Sequence, residues 1–188
     1  MELPRPGVSV LGECGAHPGT NHRFPRRAGA GAGCICVGWI HTAGRARRAA
    51  SLNTSTFFNP SRELVAAYRK IHLFDVKAPD REYVESRSVA PGREIVTAKA
   101  GAVTLGFSIC YDLRFPELYR LLALRGAEVL AVPAAFTLQT GKDHWELLLR
   151  ARAVENQAYV IAPAQWGQKA DGRWTYGRSV IVDSGARS

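Results

Sequence analysis

Gly106-Phe107-Ser108-Ile109-Cys110-Tyr111-Asp112-Leu113-Arg114-Phe115-Pro116-Glu117 is the stretch from which the fold is read. From Val103 to Ile109 the residues are almost all apolar, the pattern of a strand buried on both faces. After Cys110 the chemistry becomes that of a helix start. Asp112 is a plausible cap, Pro116 is tolerated in a first turn, and Glu117 suits the positive end of a helix dipole. Cys110 therefore falls at the carboxyl end of a strand, where α/β folds place their chemistry. A thiol there serves either core packing or nucleophilic attack, and position alone leaves both open.

Downstream, the pattern predicts a helix from Pro116 to Arg125 ended by Gly126, a strand from Glu128 to Val132, and a loop from Phe136 to Asp143. A second helix from His144 to Gln157, a strand from Tyr159 to Ala162, a Gly-rich turn around Gly167 to Gly172 and a last strand from Tyr176 to Asp183 follow. Upstream, Thr54 to Phe58 has strand propensity, Asn59 to Arg62 is a turn, and Glu63 to Lys70 completes a hairpin. Asp75 to Arg93 is polar, is broken by Pro79 and Pro91, and reads as a long surface loop carrying Glu82 and Glu85. Strand, helix, strand, helix, strand predicts an α/β domain with a parallel or mixed sheet. Ser188 follows directly on a strand, so the domain is expected to be incomplete at that end.

The chain has 188 residues, 46% of them hydrophobic, which suits one domain with a substantial core. Its net charge of +9 is uneven, because residues 1–50 hold seven arginines against Glu2 and Glu13. That segment also carries nine of the 18 glycines and sustains no apolar period. It is expected to be an atypical, poorly ordered segment (1–50) ahead of a folded domain (51–188). Its arginines are scattered among Gly, Ala and Pro without aromatic interleaving, which argues against nucleic-acid binding. No apolar run approaches 18 residues, so no membrane span is expected and the default location is the cytoplasm. Cys34-Ile35-Cys36 lacks C-x-x-C spacing, and with Cys14 and Cys110 the cysteines indicate neither a metal centre nor a disulfide framework.

Three side chains combine unusual type with unusual place: Lys70 at the end of the hairpin, Glu85 in the loop after it, and Cys110. A cysteine nucleophile needs its thiolate, which a nearby cation favours and apolar burial disfavours. A lysine can also stabilise an oxyanion, and a carboxylate can move protons. His72 and His144 invite a Cys-His protease reading, but neither lies in the local sequence such enzymes show.

Tyr68-Arg69-Lys70-Ile71-His72-Leu73-Phe74-Asp75-Val76, the stretch from Gly106 to Glu117, and His144-Trp145-Glu146-Leu147-Leu148-Leu149-Arg150-Ala151-Arg152-Ala153-Val154-Glu155-Asn156 together carry a resemblance. From about Asn53 to Asp183 the chain resembles the nitrilase superfamily of carbon-nitrogen hydrolases, in particular its nitrilase-related amidase branch. The resemblance implies a four-layer α-β-β-α sandwich that assembles as a homodimer or larger, and a Glu-Lys-Cys triad. It puts the lysine at Lys70, the nucleophile at Cys110, an additional active-site glutamate at Glu85, and an oxyanion-binding backbone N–H at Tyr111. It implies attack on a small carboxamide, loss of ammonia and hydrolysis of a thioester, with no cofactor.

The chain departs from the family at the base, which should be a glutamate on an early strand well before Lys70. Upstream of Lys70 there are only Glu2, Glu13 and Glu63. Glu63 is too close in sequence. Glu2 has the right separation but lacks a preceding buried strand, and the family's first strand and helix are not recognisable in residues 3–50. The domain is therefore expected to be incomplete at both ends. The alternative to an active amidase is a catalytically inactive fragment of one.

Overall fold

The computed structural model describes residues 36–42, 51–61, 63–78, 81–169 and 172–185. The first sheet holds β1 (Cys36–Thr42), β2 (Ser51–Phe58) and β3 (Leu64–Arg69), all antiparallel. Next come β4 (Asp75–Lys77) and β5 (Glu82–Val84), a 3-10 turn at Glu85–Arg87, and β6 (Val89–Ala90), which joins the first sheet parallel to β2. The second half runs β7 (Thr97–Ala100), β8 (Val103–Phe107), a 3-10 turn at Cys110–Arg114, α1 (Pro116–Leu124) and β9 (Val129–Ala131). It continues with α2 (Leu138–Asn156), β10 (Tyr159–Ala162), β11 (Trp166–Gln168), β12 (Trp174–Tyr176) and β13 (Val180–Val182).

The second sheet has the order β13-β10-β9-β8-β7. Its centre, β8, β9 and β10, is parallel, and the antiparallel β7 and β13 close its two sides. Parallel neighbours need crossovers, and α1 and α2 supply them. The two sheets face each other, with Phe57 of β2 and Phe107 of β8 at 6.1 Å between ring centroids. Helices α1 and α2 contribute Leu118, Leu122, Trp145, Leu149 and Ala153 to the same buried core. Helix, sheet and sheet are three of the four layers the resemblance implies. The fourth would lie on the outer side of the first sheet.

Several boundaries differ from the sequence reading, each for a local reason. No element was read within residues 1–50, yet Cys36–Thr42 pair with β2 from Cys36 opposite Phe58 to Thr42 opposite Leu52. This strand owes its existence to a partner, which local pattern does not display. The rest of that segment, Glu2 and Glu13 included, lies outside the described residues. Asp112 does not cap α1, since Phe115 holds that position. Its carboxylate closes the preceding turn instead, accepting the Ile109 N–H at 2.9 Å.

Helix α2 starts at Leu138, inside the expected loop. The Thr137 hydroxyl caps it by accepting the Thr140 N–H at 3.3 Å, which outweighs the poor helix formers Thr140 and Gly141. The segment from Asp75 to Arg93 is not an open loop, because β4 pairs with β5 and β6 with β2. The expected turn at Gly167 to Gly172 and the start of the last strand resolve into a hairpin, β11 against β12, with β13 a separate strand.

Candidate active site

Lys70 and Cys110 come from different sheets. Lys70 follows β3, its N–H donating to the Asn53 carbonyl at 2.9 Å and its carbonyl accepting the Gly92 N–H at 2.7 Å. Its side chain is only 3% exposed, so the ammonium must be paired. The partner is Glu85, at 2.5 Å from Lys70 Nζ. The same Glu85 oxygen accepts the Phe74 N–H at 2.7 Å, and its other oxygen accepts the Asn53 amide at 3.0 Å. Burial works against the Glu85 charge, but the Lys70 ammonium and these donors outweigh it and hold the carboxyl below its ordinary value.

Cys110 opens the 3-10 turn after β8 with φ +49°, a left-handed conformation uncommon for a residue with a side chain. Its N–H donates to the Pro133 carbonyl at 2.9 Å, tying the turn to the end of β9. Burial pushes its thiol above the ordinary value. The Lys70 charge and a hydrogen bond from the Ala135 backbone act in the opposite direction, while Glu85 and Asp112 add to the rise. At neutral pH the resting group is the thiol, so attack requires a proton acceptor.

Cys110, Lys70, Glu85 and Tyr111 line one cleft of about 320 Å³, a volume for a small ligand. The four residues singled out from the sequence, forty positions apart at Lys70 and Cys110, are thus brought together. Glu2, the weak candidate for the base, lies outside the described residues. His72 and His144 are absent from the lining: His72 bonds Asp112 at 2.7 Å and His144 bonds Arg114 at 3.1 Å.

The sequence reading missed Asn53, Arg81, Arg114, Phe136 and Arg173, all in the wall of the cleft. Asn53 carried a signal, being an amide within a strand where such residues are depleted. Arg81 and Arg173 each sit 6.0 Å from the Tyr83 ring centroid, and Arg114 lies 5.9 Å from those of Tyr111 and Phe136. Phe74 meets the Tyr111 and Tyr83 rings at 5.0 Å each, completing an aromatic wall. Four cationic side chains line the cleft against two carboxylates, Glu82 and Glu85, among the described residues.

Two face-to-face sheets that bring a cysteine, a buried lysine and a glutamate to one cleft define an α/β protein with a candidate active site. The carbon-nitrogen hydrolase family model matches residues 32–187, and the chain belongs to that family. A deaminated glutathione amidase from Synechocystis is 52% identical over 144 residues, 75% of this chain and 52% of its own length. The human deaminated glutathione amidase is 47% identical over 135 residues, 70% of this chain and 41% of its own. The chain thus spans about half the length of the curated relatives it matches. The crystal structure of the Caenorhabditis elegans NitFhit protein superposes with a TM-score of 0.76 at 41% identity, covering 82% of this chain and 38% of that one. An amidase from Nesterenkonia sp. AN1, solved with acrylamide added to its active-site cysteine, gives 0.69 at 28% identity, over 82% of this chain and 57% of that one. Among the described residues no helix is long and apolar enough to cross a membrane.

Proposed function

We propose that the cleft hydrolyses the carbon-nitrogen bond of a small carboxamide through a thioester on Cys110. The observation that carries this reading is the convergence of Cys110, Lys70 and Glu85 on one small cleft. The Cys110 sulfur adds to the amide carbonyl, whose oxygen takes up negative charge beside the Lys70 ammonium and the Tyr111 backbone N–H. The carbon-nitrogen bond then breaks, the nitrogen leaves as ammonia after gaining a proton, and a water molecule splits the thioester to carboxylate and thiol. Glu85, charged and held by Lys70, Phe74 and Asn53, keeps the ammonium in place and is a poor proton acceptor. The base is a further carboxylate, and Glu2 is the chain's own candidate for it.

The described lining of the cleft holds more cationic than acidic side chains, which favours an amide that also bears an acid group, such as an ω-amide of a dicarboxylate. The naming of the relatives as deaminated glutathione amidases supports a substrate of this small-amide class. The working protein is taken to be a cytoplasmic homodimer or larger assembly that needs no cofactor and binds neither nucleic acid nor membrane. Ammonia release from small ω-amides, abolished in Cys110→Ala, is the expected result. A second reading, an inactive fragment, is favoured by one observation: of the two described carboxylates in the cleft, Glu85 is already committed to Lys70. A folded protein releasing no ammonia would support that reading.

A further inference from the structure

Asp112 is fully buried and lies next but one to Cys110. One carboxylate oxygen accepts the Tyr68 hydroxyl at 2.7 Å and the Ile109 N–H at 2.9 Å. The other accepts the His72 N–H at 3.0 Å and meets His72 Nδ1 at 2.7 Å. Ile109 immediately precedes Cys110, while Tyr68 and His72 stand two residues either side of Lys70. One side chain therefore grips the peptide that presents the thiol and both flanks of the residue that presents the ammonium. The two segments belong to different sheets and have no backbone ladder between them.

The grip has reinforcement on both sides. Tyr68 is itself fully buried, and burial together with the Asp112 charge pushes its phenol far above the ordinary value, so it remains a donor. The His72 ring stacks on Phe115 with centroids 3.7 Å apart and planes 8° apart, which fixes its Nδ1 toward Asp112. The Asp112 N–H donates back to the Ile109 carbonyl at 3.0 Å, closing the turn that holds Cys110 at positive φ. A left-handed residue with a side chain is disfavoured and persists where its surroundings over-determine it.

We propose that Asp112 is a positioning residue that couples Cys110 to Lys70, holding the thiol within reach of the ammonium across the junction of the two sheets. Asp112 lies outside the cleft lining and acts only through its neighbours. The assignment rests on the reading of Cys110 as nucleophile and Lys70 as its cationic partner.

The test is a double-mutant cycle read by alkylation of Cys110 with iodoacetamide, located by peptide mass spectrometry because the chain has three other cysteines. Alkylation reports the thiol whether or not an amide is turned over. In the native background, Lys70→Met should slow alkylation several-fold, because the cation favours the thiolate. In Asp112→Asn the same substitution should have less than half that effect on a logarithmic scale. Simple loss of the Asp112 charge would leave the Lys70 effect intact, since it alters the thiol directly. An equal Lys70 effect in both backgrounds overturns the coupling and leaves the hydrolase reading standing. No Lys70 effect in the native background overturns both. Should Asp112→Asn not fold, Tyr68→Phe, which keeps the carboxylate and removes one donor, replaces it in the cycle with the same outcomes.

Discussion

Charge placement around Cys110 sets what single substitutions should do. The thiol is raised mainly by burial and lowered by Lys70, so Lys70→Met should move the pH profile of Cys110 alkylation to higher pH. A profile that stays in place or moves to lower pH would refute the assigned role of the ammonium. Glu85 gives the opposite sign in a stability experiment. Its folded value lies below the ordinary 4.5, so its contribution is present above 4.5 and lost as pH falls through the lower folded value. Thermal melts of the native protein should therefore lose stability on acidification more steeply than those of Glu85→Gln. Parallel curves would show that the ion pair adds nothing net. Cys110 and Lys70 were legible in the sequence, through an abrupt change from strand to turn chemistry and through family motifs. Arg81, Arg114 and Arg173 were not, because a residue's place in a cleft depends on strands and turns distant in the chain.

Among the elements, α2 shows how a poor local signal can conceal a structural requirement. Gly141 lies in its first turns, and a Cβ there would fall 2.3 Å from Tyr176 Cβ on β12. The glycine admits the β11-β12 hairpin against the helix and so delivers Arg173 to the cleft. Gly141→Ala should cost about 1–3 kcal/mol by overpacking, despite the better helix propensity of alanine. Chemical denaturation would measure this, and a stabilised variant would contradict the packing. The central strands β8, β9 and β10 and helix α1 were readable because continuous apolar runs and a Pro-to-Gly frame are local signals. The start of α2 was not, since Thr140, Gly141 and Asp143 look like a loop and only the Thr137 cap reveals a helix. Strand β1 escaped notice for a different reason: its evidence lies in the facing residues of β2.

At the scale of the molecule, the helical layer leaves apolar side chains outward, with Leu124 of α1 75% exposed and Leu147 of α2 66% exposed. The homodimer proposed above would bury these leucines if the helical layer is its contact face. Sedimentation should show a concentration-dependent dimer that Leu124→Glu combined with Leu147→Glu returns toward monomer. A monomer at all concentrations would remove this face from consideration. The α/β class was anticipated because strand and helix periods alternate along the second half of the chain, whereas the facing sheets were implied only by the family resemblance. The chain's own strand pairings beyond that order needed three dimensions. The positive φ of Cys110 has a further consequence, one for stability. Glycine adopts that conformation without penalty, so Cys110→Gly should melt higher than Cys110→Ala, by roughly 1 kcal/mol of stability. Equal melting temperatures would show that the turn is unstrained. A change from cysteine to glycine would relieve the turn of that strain while removing its thiol, so backbone conformation alone does not favour the cysteine found here.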